Sequence, residues 1–583
     1  MATSPTNPPI GSEEPLRPTR SLPSYAEPTP ETHRRISREE EAELALKNTD
    51  FARGTRSLLV ALFLVTLMAV PATQFVSEFR TTKTIARLPM FLVFKTLPAW
   101  SGIRNIHGVR DLWNILPRPA ELKAAERTLE TDSVVSQLLL PRVQFVLAAL
   151  LHTGNEQVYL GRDHWLFYRA DVDHVTGPPF LDSLRMKRRL QTTGVQPDPI
   201  KAIVNFRNQL AARGIDLVVL PIAVKPSIEG EMLCSYAGKD RSLQNSSFAE
   251  FVERLEKDGV RVFDPTPLLM KRRISGYREP FYLRGDTHWR PETMEYVANK
   301  LSDFLKLPPS TREISPLIIE KEITNRGDIA LMLKLPSTEK IYPPEKVSIR
   351  QVTLGNAMWR PNKNADVLLL GDSFSNVFSL EAMGWGESAG FAEHLSAALR
   401  RPIDCILRNS DAAFATREIL SNELVRGRDR LAGKKLVIWE FAARELSFGD
   451  WKLLDMKVGQ AKPSHFFSPK TGEEVVVTGT VENISPVPRP GTVPYKDHII
   501  ALHLIDIADP ARGAGEELQA VVYLWSLRNN VRTPAARLRH GDRVKMRLRP
   551  WADVSAQYEK FNRTELDDPA LQLEEPVWGE LIK

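Results

Sequence analysis

Cysteine is nearly missing: Cys234 and Cys405 are the only two in 583 residues. No Cys-x-x-Cys pair occurs, which excludes thiolate zinc cages and a thioredoxin-type redox centre. The two thiols could close one disulfide in an oxidising compartment or stay apart, and sequence separation does not decide between these. An excess of one charge is missing too. Lys and Arg number 78 against 72 Asp and Glu, a net charge of +6, too mild to imply a nucleic-acid partner by itself. No Gly-x4-Gly-Lys-Ser/Thr loop is present, and Gly384-Trp385-Gly386 with Gly390 has the wrong spacing for a dinucleotide loop. A nucleotide-dependent enzyme is therefore not expected, and neither a cofactor nor a metal is called for.

Long hydrophobic runs are scarce as well. Leu58 to Val70 carry no strong hydrogen-bonding group except Thr66, and Ser57 to Phe75 reach roughly the 20 residues that a bilayer requires at helical rise. The rival reading is a buried core helix. Arg53 and Arg56 flank the upstream end, which favours a cytoplasmic N-terminus. The run begins too far into the chain, and with no small-x-small cleavage site, to be a removable signal. A retained anchor at 57–76 is thus expected, with all that follows outside the cytoplasm, in the periplasm if the membrane is the bacterial inner membrane of a Gram-negative cell. Residues 1–56, rich in proline and poor in apolar side chains, read as a disordered cytoplasmic tail. Region 77–154 reads as helical and juxtamembrane. Leu88 to Trp100 and Leu138 to Leu151 are too short and too interrupted by proline to span, and suit packed or membrane-surface helices.

From 155 to 460 apolar strand-like runs alternate with helical segments. Ile215–Ile222, Val260–Phe263, Val367–Leu370, Ile403–Leu407 and Leu436–Phe441 are the expected strands. Phe248, Phe251, Val252 and Leu255, and again Val297, Leu301, Phe304 and Leu305, follow a helical period. This alternation predicts an α/β fold, a mainly parallel sheet flanked by helices. From 461 to 583 the texture turns β-rich, a smaller second domain. There Arg543, Lys545, Arg547 and Arg549 alternate with Val544, Met546 and Leu548, giving a strand with one basic face. With Arg528, Arg532, Arg537 and Arg539 upstream, that face suits an anionic polysaccharide or lipid head groups, or is simply solvated. No aromatic interleaving of the single-strand nucleic-acid type accompanies it.

Asp286-Thr287-His288-Trp289 and Gly371-Asp372-Ser373-Phe374 together hold the residue types of an acyl-transfer triad. A serine hydroxyl is a weak nucleophile until an imidazole takes its proton, and the imidazole needs a carboxylate to fix its tautomer. Residues two apart in an extended segment project to one side, so Asp286 can reach His288 locally. Ser373 follows the run Val367–Leu370, at the strand end where reacting groups gather in open α/β sheets. The structural alternative makes Ser373 a helix cap and Asp286–His288 a loop ion pair. Asp372, adjoining the serine, is expected to point away and stays outside the triad. The oxyanion calls for backbone N–H donors, plausibly that of Ser373, with Asn376 and Arg408 as side-chain candidates. Trp289 and Trp165 could stack on a sugar, or pack in the core.

Five segments, Gly161–Tyr168, Asp286–Trp289, Arg326-Gly327-Asp328, Gly371–Ser375 and Val437–Phe441, together resemble the alginate O-acetyltransferase (AlgX/AlgJ-type) family. Its SGNH-hydrolase-like domain places Asp-x-His ahead of the serine. The resemblance covers roughly residues 155–450. It implies periplasmic acetylation of an exopolysaccharide, with Ser373 as nucleophile, His288 as general acid/base and Asp286 orienting it. It also implies an acetyl donor supplied by a membrane-bound acyltransferase partner. A carbohydrate esterase on the same fold, or a non-catalytic envelope scaffold that binds polysaccharide, are the competing functions.

Overall fold

The computed structural model describes residues 52–82 and 133–582, apart from 337–339, 410–412, 461–463, 489, 491–492, 494 and 509–516. The proline-rich tail up to residue 51 and the Leu88–Trp100 run lie outside the described residues. Two units divide the chain between Val135 and Ser136.

In the first unit, helix α1 spans Arg53–Thr82. Within Arg53–Arg80 an 18-residue window has a mean hydropathy of 2.1, and the helix is long and apolar enough to cross a membrane. Two hydroxyls in its apolar middle are satisfied without water: Thr66 Oγ1 donates to the carbonyls of Leu62 and Phe63, and Thr73 Oγ1 to those of Ala69 and Val70. Such back-bonding is what lets threonine sit in an apolar solvent.

The second unit begins within helix α2, Val134–Leu150, and continues into the hairpin β1 (Val158–Leu160) and β2 (Leu166–Tyr168). A five-stranded parallel sheet follows, built from β3 (Asp216–Ile222), β4 (Arg261–Val262), β8 (Val367–Gly371), β9 (Asp404–Leu407) and β10 (Leu436–Ala442). Its order is β4-β3-β10-β8-β9, so all five expected strands join one sheet. Side-chain parity sorts the two faces. Val218, Leu220, Val367, Leu369 and Ile438 meet the helices Pro291–Leu305 and Phe391–Leu399. Leu217, Val219, Leu368, Leu370 and Trp439 meet Pro199–Ala211, Phe248–Lys257 and Ala415–Val425. Every residue of β10 is buried, as a central strand covered on both faces requires.

Sequence reading missed the antiparallel β5 (Leu317–Asn325), β6 (Glu345–Leu354) and β7 (Ala357–Met358). The outward residues of β5 are mostly charged or exposed, so the hydrophobic run that marks a sheet strand is lacking.

The C-terminal region opens with β11 (Ser464–Phe466). Then β12 (Val475–Ile484), β13 (His498–Ala508), β14 (Glu517–Arg528), β16 (Arg543–Pro550) and β18 (Val577–Leu581) close on themselves as a barrel, because β14 pairs with both β13 and β18. Short β15 (Val531–Arg532) and β17 (Asn562–Thr564) flank it. Inward Val477, Leu502, Leu504, Val522, Met546 and Leu548 fill the interior.

Candidate active site

The loop carrying Asp286 and His288 leads into the helix Pro291–Leu305, which packs on the sheet. Asp286 Oδ1 lies 2.6 Å from His288 Nδ1 and accepts the His288 backbone N–H at 3.0 Å. Its Oδ2 accepts Trp385 Nε1–H at 2.7 Å and the Asp328 N–H at 3.0 Å. An ionised carboxylate can only accept, so the proton of the neutral imidazole sits on Nδ1 and Nε2 is left as the base. Nε2 is buried and makes no hydrogen bond.

Burial works against charge on both partners, but each outweighs it for the other. His288 is driven down by burial and up by the charge and hydrogen bond of Asp286, and its pKa ends above the usual histidine value. Burial pushes Asp286 up, but His288 and the donors from Trp385 and Asp328 bring it well below the carboxylate range. Asp328 goes the other way, to about 6, through burial and the neighbouring charge of Asp286. Its carboxylate takes the Thr287 N–H at 2.7 Å and hydroxyl at 2.8 Å, and its Oδ2 is 3.9 Å from His288 Nδ1. Gly327 (φ 91°) makes this close approach feasible, since a β-carbon there would sit 2.4 Å from the Gly285 carbonyl oxygen. Asp286, His288 and Asp328 have ligand-type atoms within 4.8 Å of one another. The four hydrogen bonds to Asp286 already account for its acceptor sites, so it is hydrogen bonding that organises this trio.

Ser373 opens a short helix, Ser373–Asn376, at the carboxyl end of β8. The cap is Asp372, not the serine: Asp372 Oδ1 accepts the Phe374 N–H at 2.8 Å, and its Oδ2 accepts the Ala442 N–H at 2.8 Å. The serine turn and the histidine loop are joined through the next residue. The Phe374 ring meets the His288 ring edge-on at 4.8 Å, and Trp289 Nε1 donates to the Phe374 carbonyl at 3.1 Å. No hydrogen bond closes Ser373 to His288, so the structure assembles the His–Asp half and leaves the Ser–His half open. Catalytic hydrogen bonds of unliganded sites commonly tighten only when substrate binds.

Beneath the serine turn lies Glu440, whose Oε2 accepts the Asp372 N–H at 2.9 Å and the Ser375 hydroxyl at 2.6 Å. Burial, with the charge of Asp372, pushes its carboxyl far above the usual range. Glu440 thus holds the serine turn through these two contacts. We expect Glu440→Gln to melt near the parent, and Glu440→Ala to melt several degrees lower, since two donors would lose their acceptor at about 1–3 kcal/mol each. Thermal unfolding of the two variants checks this.

Of the two readings open for Trp289 and Trp165, core packing is the one found. Trp289 is 1% exposed and Trp165 2%, so neither presents a face to a sugar. Trp165 instead lies by buried Lys225, whose Nζ is 5.5 Å from its ring centroid and donates to the carbonyls of Leu166 and Arg284. Burial lowers the Lys225 ammonium to about 8. The Gly161–Tyr168 segment therefore serves as a floor for the Asp286 loop.

Arg408 lines both a small recess of about 50 Å³ that contains Ser373 and a cleft of about 470 Å³ between the α/β domain and the barrel. Asn376 lines only the larger cleft, where its Nδ2 donates to Asn409 Oδ1 at 2.7 Å and its Oδ1 accepts Arg539 Nη1–H at 3.2 Å. Arg444 completes the recess and pairs with buried Asp171 at 3.1 Å. Sequence reading missed Arg444, Trp385 and Glu440 as contributors, because only tertiary contact brings them to the serine turn.

The basic strand does alternate, with Val544, Met546, Leu548 inward and Arg543, Lys545, Arg547, Arg549 outward. Its charge is partly neutralised: Glu474 pairs with Arg547 at 2.7 Å and Arg549 at 3.0 Å, and Glu580 with Arg549 at 3.5 Å. Arg532, Arg537 and Arg539 do not extend that face. They turn to the α/β domain, meeting Glu387, Glu381 and the Ser379 carbonyl. Cys234 is exposed, Cys405 is buried, and both are free thiols.

A three-layer α/β domain with a serine at the carboxyl end of an inner strand and a local Asp-x-His pair is of the SGNH-hydrolase-like class. Residues 158–443 match the family described as SGNH hydrolase-like domain, acetyltransferase AlgX. Similar proteins include the probable alginate O-acetylase AlgJ of Pseudomonas fluorescens, 26% identical over 39% of this chain and 55% of that protein. The protein of the same name from Pseudomonas aeruginosa is 26% identical over 51% of this chain and 72% of that one. The chain thus spans about half the length of the first of these relatives. Among solved structures, the O-acetyltransferase domain of Pseudomonas putida AlgJ aligns with 50% of this chain and 93% of that one, at 20% identity and a TM-score of 0.38.

Proposed function

We propose that the chain is a membrane-anchored O-acetyltransferase that acetylates hydroxyl groups of an exopolysaccharide through Ser373, His288 and Asp286. The observation that carries the reading is the buried Asp286–His288 pair, with Nε2 unpartnered beside the serine turn. In the first step His288 Nε2 takes the Ser373 proton as Oγ attacks the carbonyl of an acetyl donor. The tetrahedral intermediate then expels the donor's leaving group, which takes that proton back from His288. In the second step His288 deprotonates a sugar hydroxyl, which attacks the acyl-enzyme and returns Ser373. The Asp372 carboxylate occupies the Phe374 N–H and leaves that of Ser373 for the developing oxyanion. Arg408, lining the serine recess, is placed to add charge there.

In this reading α1 is the anchor, with a cytoplasmic N-terminus and the catalytic domain in the periplasm, and a membrane-bound acyltransferase partner delivers the acetyl group. The apolar stretch of α1 and the family match over residues 158–443 support it. Incubating the purified chain with an activated acetyl ester and an acidic oligosaccharide tests the function. Acetylated oligosaccharide is expected. Release of free acetate with no transfer, whether or not the oligosaccharide is present, would favour an esterase, and an inert chain would favour a binding scaffold.

A further inference from the structure

Helix α2 is built inside out. Its 17 residues contain a single charge, Arg142, and the two residues it buries are Gln144 at 5% and Ala148 at 2% exposure. Gln144 Nε2 reaches the Gly154 carbonyl at 3.4 Å, so the polar side of the helix faces the domain. The large apolar side chains face away, with Leu138 56%, Leu139 54%, Val143 52%, Val146 47% and Leu150 73% exposed. A helix washed by water shows the opposite pattern, with apolar residues inward and charges outward. A contiguous apolar face of this kind marks contact with another apolar phase.

The same chain carries α1, the membrane-span candidate, so a bilayer is within the reach of the intervening residues. At about 1.5 Å per residue, α2 is some 25 Å long, shorter than the hydrocarbon core of about 30 Å. Pro141 and Arg142 interrupt its middle. A helix of this kind lies along an interface rather than across it. Arg142 Nη1 donates to the Leu138 carbonyl at 2.6 Å, and its long stem lets the charge rise to the head groups while its methylenes stay in the apolar layer.

We propose that α2 is a second membrane contact, lying in the head-group layer with its Leu138–Leu139, Val143, Val146 and Leu150 side in the acyl chains. Its Gln144–Ala148 side remains on the catalytic domain, which is thereby held at the membrane surface. The inference rests on α1 being an anchor, and goes beyond the acyl-transfer reading, on which it does not depend.

The test uses the full chain in a Cys234→Ser background, where Cys405 is buried. Single cysteines at Leu139→Cys and Val146→Cys carry a polarity-sensitive fluorophore, and Leu184→Cys, 65% exposed in the parent, serves as a solvent control. The protein is reconstituted into phosphatidylcholine–phosphatidylglycerol vesicles and quenched with nitroxide lipids or with aqueous iodide. Labels at 139 and 146 should be quenched several-fold more by nitroxide lipid than by iodide, and the label at 184 the reverse. If the chain floats with vesicles but iodide quenches 139 and 146, the anchor stands and the interfacial helix is overturned. Shielding from both quenchers means that protein covers the helix, which overturns it equally. A chain that fails to float with vesicles removes the anchor and this proposal together, leaving the acyl-transfer reading intact.

Discussion

Ser373→Ala is expected to lower kcat for polysaccharide acetylation on the order of 10⁶-fold, since removing the nucleophile of such a site costs about as much as removing the whole triad. The fold should not suffer. The serine side chain caps nothing: Asp372 caps the short helix, and Glu440 holds the turn through Ser375 and the Asp372 N–H. Stability should therefore stay within about 0.5 kcal/mol of the parent, as for a partly exposed residue without special contacts. Initial rates of acetyl transfer, paired with thermal unfolding, check both halves. A variant that acetylates at the parent rate would leave the domain as a binding scaffold.

Asp286→Asn is expected to cost on the order of 10⁴-fold in kcat, the scale of losing the group that sets the tautomer of the histidine. Here a structural cost comes with it. Asp286 accepts four hydrogen bonds from His288 Nδ1, the His288 N–H, Trp385 Nε1 and the Asp328 N–H. An amide nitrogen in place of one oxygen sets donor against donor, at about 1–3 kcal/mol. The pH dependence carries a sign. His288 must be neutral to act as base, and although burial lowers its pKa, Asp286 raises it to a net value above the usual one. The acidic limb of the parent rate profile should thus lie above the ordinary histidine range. In Asp286→Asn burial no longer has an opposing carboxylate at this position, so the residual activity should show that limb at lower pH. The same raised pKa gives the parent a stability contribution that is full below the unfolded histidine value and lost as pH rises through the folded one. Rate and unfolding profiles between pH 4 and 9 would read out both effects.

Sequence reading carried furthest where physics is local. All five sheet strands were legible because a buried parallel strand must be largely apolar on both faces, as Val367–Leu370 and Leu436–Trp439 are. The helix from Phe248 was legible because Phe248, Phe251 and Leu255 repeat on one face and are buried. The approach of Asp286 to His288 was legible because two residues of extended chain suffice. What escaped depends on contacts between distant segments. Trp385 looked like part of a glycine-flanked loop, yet its indole is a donor to Asp286. Arg532 and Arg539 looked like an extension of the basic strand, yet they bond across to Glu387 and to Asn376. Trp289 offered an aromatic surface in sequence and lies in the core, because its indole N–H ties the histidine loop to the serine turn. The antiparallel β5–β6 pair escaped because β5 is mostly exposed and its partner lies some twenty residues further on, although Val347, Ile349 and Val352 of β6 point into the core, and Glu345 at the start of β6 accepts the Arg284 N–H at 2.8 Å and Arg290 Nη1–H at 2.6 Å, on either side of the Asp286–His288 loop.

The central claim is that Ser373 becomes acylated with His288 as its base. Mass spectrometry of the full chain, digested after brief exposure to an activated acetyl ester, tests it most directly. One acetyl group should appear on the peptide carrying Ser373, should be absent in Ser373→Ala, and should form far more slowly in His288→Ala. An unmodified Ser373 peptide, or equal labelling of parent and both variants at some other residue, would contradict the account.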